Sequence, residues 1–194
     1  MLDFVSGELN KSSDLVAALV ADKAMQQTLV DISKKIEATL RANGKVLLAG
    51  NGGSAADCQH IAGEFVSRFN YDRPGLSAIA MTTDTSILTA IGNDYGYERL
   101  FSRQIQALGH KGDVFIAIST SGNSKNILAA IDEAKRVGLY IVGLTGQSGG
   151  AMRDLCDVCL CMPSPETPKI QEGHIMVSHI ICGVVEMLMF PKPQ

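Results

Sequence analysis

The sequence predicts an α/β protein built on a five-stranded parallel sheet with helices on both faces and two further helices ahead of it. Three observations carry this. Five short apolar runs alternate with helical stretches from residue 45 onward. Each run is apolar at consecutive positions, as strands buried on both faces are, and each gap can hold a helix. Residues 1 to about 43 instead carry apolar side chains at three- and four-residue steps: Leu2, Val5, Leu9, Leu15 and Leu19, then Met25, Leu29, Ile32, Ile36 and Leu40.

The elements follow in order. Asn43-Gly44 closes the second N-terminal helix. Residues 45–49 read as the first strand and 53–68 as its helix. Arg73-Pro74-Gly75 announces a second strand over 76–81, and short helices over 84–92 and 97–108 flank Gly92-Asn93-Asp94-Tyr95-Gly96. The third strand covers 113–119, followed by a helix over 124–137 that stops at Gly138. The fourth strand covers 140–144, a short helix 149–155, and the fifth strand 158–162. Pro163, Pro165 and Pro168 form a rigid loop, and the last helix runs from Lys169 to about Met189. No repeat or low-complexity segment interrupts the chain. One domain over 1–194 is expected: N-terminal helices 1–43, sheet core 44–168 and a C-terminal helix 169–190.

Bulk properties exclude several classes. A hydrophobic content of 46% and a mean hydropathy of +0.14 place the chain among globular proteins. A net charge of −3 argues against non-specific nucleic-acid binding, which needs a basic face. The 5 cysteines are odd in number and show no disulfide-framework spacing, so a reducing, cytoplasmic setting is expected. Met1-Leu2-Asp3-Phe4 lacks a basic n-region, and no signal peptide is expected. The apolar run 175–190 is broken by His179 and Glu186, which suits a buried helix and not a membrane span.

Two loops carry the polar chemistry. Gly50-Asn51-Gly52-Gly53-Ser54 follows the first strand and leads into a helix whose His60 and Glu64 stand one turn apart on one face. Ser119-Thr120-Ser121-Gly122-Asn123-Ser124 follows the third strand. A helix N-cap needs one such residue, and this loop has five in six positions. Hydroxyls and amides at a helix start can ring a phosphate without Lys or Arg, so the phosphate is assigned here. Both loops lie at strand carboxyl ends, where open parallel sheets bind ligands, and they are expected to face one crevice. The loop Thr145-Gly146-Gln147-Ser148-Gly149-Gly150 reads as a plain turn.

His60, Glu64, Gln171 and His179 are four polar residues on two otherwise apolar helices. Burying such groups is costly unless they are paired or hold a metal, and their types match a zinc ligand set. Gln171 and His179 lie eight residues apart, roughly 12 Å along a straight helix. To share one ion they must lean together, the helix must bend, or more than one subunit must contribute. A cluster that works without a metal is the other reading. His110 sits in a surface turn, and Cys58 and Cys182 read as small buried hydrophobes. Cys156-Asp157-Val158-Cys159 with Cys161 lacks the second pair or His that a tetrahedral zinc site needs.

These motifs together, with Gly92-Asn93-Asp94 and Ile170-Gln171-Glu172, resemble the sugar isomerase (SIS) domain family, and within it the branch that isomerises heptose phosphates. The resemblance spans nearly the whole chain. It implies a flavodoxin-like three-layer sandwich and a homotetramer with active sites at subunit interfaces. It also implies conversion of sedoheptulose 7-phosphate to D-glycero-D-manno-heptose 7-phosphate, the first step toward the heptose of lipopolysaccharide or capsule. By position, Asn51, Gly52, Gly53 and Ser54, together with Glu64, Asn93, Asp94 and Gln171, would contact substrate. Ser119, Thr120, Ser121 and Ser124 would hold its phosphate. His60, Glu64, Gln171 and His179 would bind zinc, and Glu64 and His179 would be the acid–base pair. The family also holds non-catalytic phosphosugar-sensing regulators and replication-initiator-binding proteins. The presence of Glu64, His179 and an uninterrupted 119–124 loop favours the enzyme.

Overall fold

The computed structural model describes residues 1–192. Among them the chain forms helices α1 (Leu2–Ala21), α2 (Lys23–Arg41), α3 (Gly53–Val66), α4 (Thr85–Tyr95), α5 (Ser102–Leu108), α6 (Lys125–Val137) and α7 (Thr167–Met189). The strands are β1 (Val46–Ala49), β2 (Ala78–Ala80), β3 (Val114–Ile118), β4 (Tyr140–Thr145) and β5 (Val158–Cys161). All pairings are parallel, in the order β2-β1-β3-β4-β5. The chain leaves β1 toward one edge, then crosses back to β3 on β1's other side. The strand order therefore reverses between β1 and β3, which places the ligand crevice of such sheets at their carboxyl ends.

The alternation of side chains along each strand divides the interior into two cores. Val46 and Leu48 of β1, Val114, Ile116 and Ile118 of β3, and Val142 and Leu144 of β4 face α2, α3 and α7. Leu47, Ala49, Phe115, Ala117 and Ile141 face α5 and α6. This is the expected five-stranded parallel sheet between two helical layers. Ile36 of α2 and Phe115 of β3 are completely buried, and burying a side chain of this size stabilises the fold by about 1.5–3 kcal/mol.

The ends of several elements depart from the sequence reading. The second strand shrinks to three residues, because as an edge strand it pairs only with β1. The stretch expected as a helix over 149–155 is a 3-10 turn, Ala151–Asp154. The last helix starts at Thr167, and Pro168 lies in its first turn, where a missing N–H costs nothing. Asp22 separates α1 from α2 and caps the latter, its Oδ1 accepting from the Met25 amide at 2.9 Å.

Helix α7 is long and apolar enough to cross a membrane by length and composition, yet it is a core helix here, with Val177, Ile181, Cys182 and Val185 packed among α2 and α3. Helix α1 also makes polar contacts to α7, where Ser12 meets the Lys169–Glu172 pair. Lys169 Nζ donates to Ser12 Oγ and to Glu172 Oε1, each at 2.9 Å. Of the apolar side chains of α1, Leu15 is buried and Leu19 packs on the core, while Leu2, Phe4 and Leu9 are exposed.

Candidate active site

The loop after β3 turns its hydroxyls inward. Ser119 Oγ lies 2.9 Å from Ser124 Oγ and 3.4 Å from Ser121 Oγ. Ser124 is the N-cap residue of α6, but its side chain makes no capping bond. The hydroxyl is thus turned to the serine cluster, and the first-turn amides of a 13-residue helix keep their capacity for an anion.

A cleft of about 480 Å³ opens beside this cluster, lined by Thr120, Ser121 and Asn123, by Gly146, Gln147 and Ser148, and by the start of α7. The 145–150 loop, read from sequence as a plain turn, is therefore one wall of the cleft. The two loops pack backbone to backbone: the Gly146 amide donates to Thr120 O at 3.0 Å, and the Met152 amide to Gly122 O at 3.1 Å. Gly122 has φ +67, and a Cβ there would run into the Gly149 carbonyl, so the contact requires glycine.

His174 anchors the same wall. It is fully buried, with Nε2 donating to the Thr145 carbonyl at 3.1 Å. Burial pushes its pKa down to about 4, against the opposing pull of the Thr145 carbonyl. The ring is neutral in the fold and must charge on acidification, while the unfolded chain already binds that proton near pH 6.5. Stability is therefore full above about pH 6.5 and falls as the pH drops toward 4, by roughly 3 kcal/mol over the window. Urea midpoints at pH 7 and 4.5 check this, and His174→Gln should flatten the slope between them.

Across the crevice, the loop after β1 presents Asn51. Its amide pairs reciprocally with Asn126, Asn51 Nδ2 donating to Asn126 Oδ1 at 3.0 Å and Asn126 Nδ2 to Asn51 Oδ1 at 2.8 Å. The Tyr97 hydroxyl donates to the same Asn51 oxygen at 2.9 Å. Sequence reasoning missed Asn126 and Tyr97. Asn126 was detectable, as a polar residue in phase with the buried positions Ile127, Ala130, Ile131 and Ala134 of α6. Ser54 is buried in the first turn of α3. Asn93 and Asp94 form an exposed pair near the end of α4, joined by a 2.7 Å hydrogen bond.

The structure brings together three of the four residues read as metal ligands. His60 Nε2 lies 2.8 Å from His179 Nε2 and 3.3 Å from Glu64 Oε1. The three donor atoms lie within 4.8 Å of one another. Phe69 supports the His179 ring, their centroids 5.6 Å apart. Gln171 is elsewhere. It lies across the start of α3, where a Cβ on Gly53 would come within 2.5 Å of its Nε2. That places it roughly 10 Å along α3 from His60. The helix α7 is thus straight enough to keep Gln171 and His179 apart.

The triad fits a metal ion. Both rings turn the same nitrogen to one point that Glu64 also faces. In a tetrahedral zinc site with bonds near 2.0–2.1 Å, donor atoms stand about 3.3 Å apart, so the rings need to part by only about half an ångström. Three protein donors leave a coordination position open, as in catalytic sites.

Fold and site define an α/β sugar-phosphate protein with its crevice at the β1–β3 switch point, and comparison with known proteins agrees. The SIS domain model matches residues 9–146. A phosphoheptose isomerase of Burkholderia pseudomallei is 60% identical over 191 residues, 98% of this chain and 97% of that one. The solved phosphoheptose isomerase of Francisella tularensis superposes with a TM-score of 0.92 at 34% identity, over 96% of this chain and 98% of that one. That of Neisseria gonorrhoeae gives 0.88 at 40% identity, over 95% and 98%. The chain belongs to the phosphoheptose isomerase family of SIS-domain proteins.

Proposed function

We propose that this protein converts sedoheptulose 7-phosphate to D-glycero-D-manno-heptose 7-phosphate in the cytoplasm, opening heptose biosynthesis for lipopolysaccharide or capsule. The observation that carries this reading is the meeting of Glu64 with two imidazoles in a chain that also holds a hydroxyl-lined cleft and is 60% identical to a phosphoheptose isomerase. The phosphate sits on Ser119, Thr120, Ser121 and Ser124 at the start of α6. Asn51, Gly52, Gly53, Ser54, Gln171, Asn93 and Asp94 bind the sugar.

Isomerisation takes a proton from C1 of the ketose and returns one to C2, while the hydroxyl proton moves from O1 to O2 through an enediol. Glu64 is the base at carbon. Its Oε1 faces His60 and Oε2 takes the proton. His179 shuttles the proton at the oxygens. His60, Glu64 and His179 would hold zinc, with Gln171 joining them only from a second subunit, and the ion would supply Lewis-acid polarisation of the sugar carbonyl.

A homotetramer with shared sites is part of the proposal. His179 lies on a shallow apolar groove with Phe69, Ile180, Val184 and Met187, and Ile180 and Met187 are exposed. Together with the exposed side chains of α1, this surface suits subunit contact. Contact across it would also give Gln171, Asn93 and Asp94 a second chain's site to serve.

Incubating the purified protein with sedoheptulose 7-phosphate should yield the aldose. Its absence from well-folded, zinc-replete protein would overturn the assignment in favour of a regulator. In Ser121→Ala combined with Ser124→Ala, KM should rise about ten- to a hundredfold with kcat little changed, since phosphate contacts bind ground and transition states alike. Steady-state kinetics separates the two constants.

A further inference from the structure

One feature of the sequence has no part in the isomerase site: the cysteines around β5. Gly143, in β4, has no side chain, and the space one would take is filled by sulfur-bearing side chains. A Cβ there would lie 2.8 Å from Cys156 Sγ, 3.0 Å from Cys159 Sγ and 3.1 Å from the Met152 methyl, one bond from the thioether sulfur. Three sulfur side chains thus converge on one point. The backbone around them is fixed. The Cys156 amide donates to Met152 O at 3.1 Å, and Asp157 Oδ2 accepts from the Ile141 amide at 2.7 Å, tying the segment between the two cysteines to β4. Met152 is fully buried, whereas the two thiols are partly exposed and can be reached from solvent.

The geometry points to a binding site for a thiophilic monovalent cation of the Cu(I) class, held by the Cys156 and Cys159 sulfurs with Met152 beside them. Such an ion prefers thiolate and thioether donors and does not need the fourth ligand that zinc would demand here. Binding replaces two S–H bonds with two S–metal bonds and releases both protons to solvent, with no change in oxidation state. The resulting unit carries one net negative charge. Arg153 lies close enough to influence both Cys159 and Cys161 and offers the balancing positive charge. The neighbouring Cys156 thiol and then burial push the Cys159 thiol above its ordinary value. Because binding releases two protons, affinity should rise with pH, by up to about a hundredfold per pH unit.

The test adds Cu(I), delivered anaerobically as its acetonitrile complex, to the full-length protein in competition with bicinchoninate. One equivalent per chain should be withheld from the chelator. Cys156→Ser and Cys159→Ser should each weaken retention at least tenfold, and Cys58→Ser should leave it unchanged. Alkylation of the natural sequence, mapped by mass spectrometry, should show Cu(I) protecting Cys156 and Cys159 and not Cys161. That footprint decides alone if a variant fails to fold. Failure of the natural protein to compete, retention by the two Ser variants equal to that of the natural protein, or protection confined to other cysteines would overturn the assignment.

Discussion

Glu64→Gln should lower kcat by about a hundred- to ten-thousandfold, the range a positioned general base contributes, with the fold and the phosphate cleft intact. Glutamine keeps the shape of glutamate and cannot take a proton from carbon. The residue has two proposed roles, base and metal ligand, and they separate experimentally. Zinc content is measured alongside turnover. Low turnover with zinc retained supports the base role. Low turnover that excess zinc restores would assign Glu64 to metal binding alone. Near-normal turnover would sink both roles. A neutral amide beside His60 and His179 also removes the only carboxylate of the triad, so zinc affinity should drop even where the ion is still held.

The parts of this arrangement that were legible in the sequence are those encoded over short distances. Strands and helices alternate with their own periods, so the sheet and both helical layers could be read directly. The glycine and serine loops follow β1 and β3 immediately, and the i,i+4 spacing of His60 and Glu64 fixes their shared face. What could not be read depends on contacts between distant segments. Gln171 and His179 were separable by helix rise, but nothing in the sequence showed that Gln171 lies against Gly53. The 145–150 loop has the composition of a turn, and its place as a cleft wall follows only from its packing on Gly122. Tyr97 reaches Asn51 across 46 positions. Glu186, seen only as a charge interrupting an apolar helix, has partners more than a hundred residues earlier.

Those partners make the second large prediction. Arg73→Ala should destabilise the fold by about 3–5 kcal/mol, the cost of leaving one member of a buried ion pair alone. Glu186 is fully buried and accepts from Arg73 Nε at 3.1 Å and from the amides of Phe69 and Asn70 at 2.8 and 2.7 Å. Arg73 donates in turn to the carbonyls of Glu64 at 2.7 Å and Phe65 at 2.6 Å, the last turn of α3. One guanidinium therefore ties the end of the helix bearing Glu64 to the helix bearing His179. Lysine lacks the planar fork that reaches these acceptors together, so Arg73→Lys should recover little of the loss. Burial pushes the Glu186 carboxyl up, but the two amides and Arg73 outweigh it and hold the pKa below its ordinary 4.5. Its contribution is therefore present above pH 4.5 and is lost as the pH falls below that value, a window lower than that of His174. Chemical denaturation at neutral pH measures the loss in Arg73→Ala, and a loss under 1 kcal/mol would show that the pair does not hold the two helices. Turnover should fall as well, because His60, Glu64 and His179 keep their spacing only while α3 and α7 stay in register.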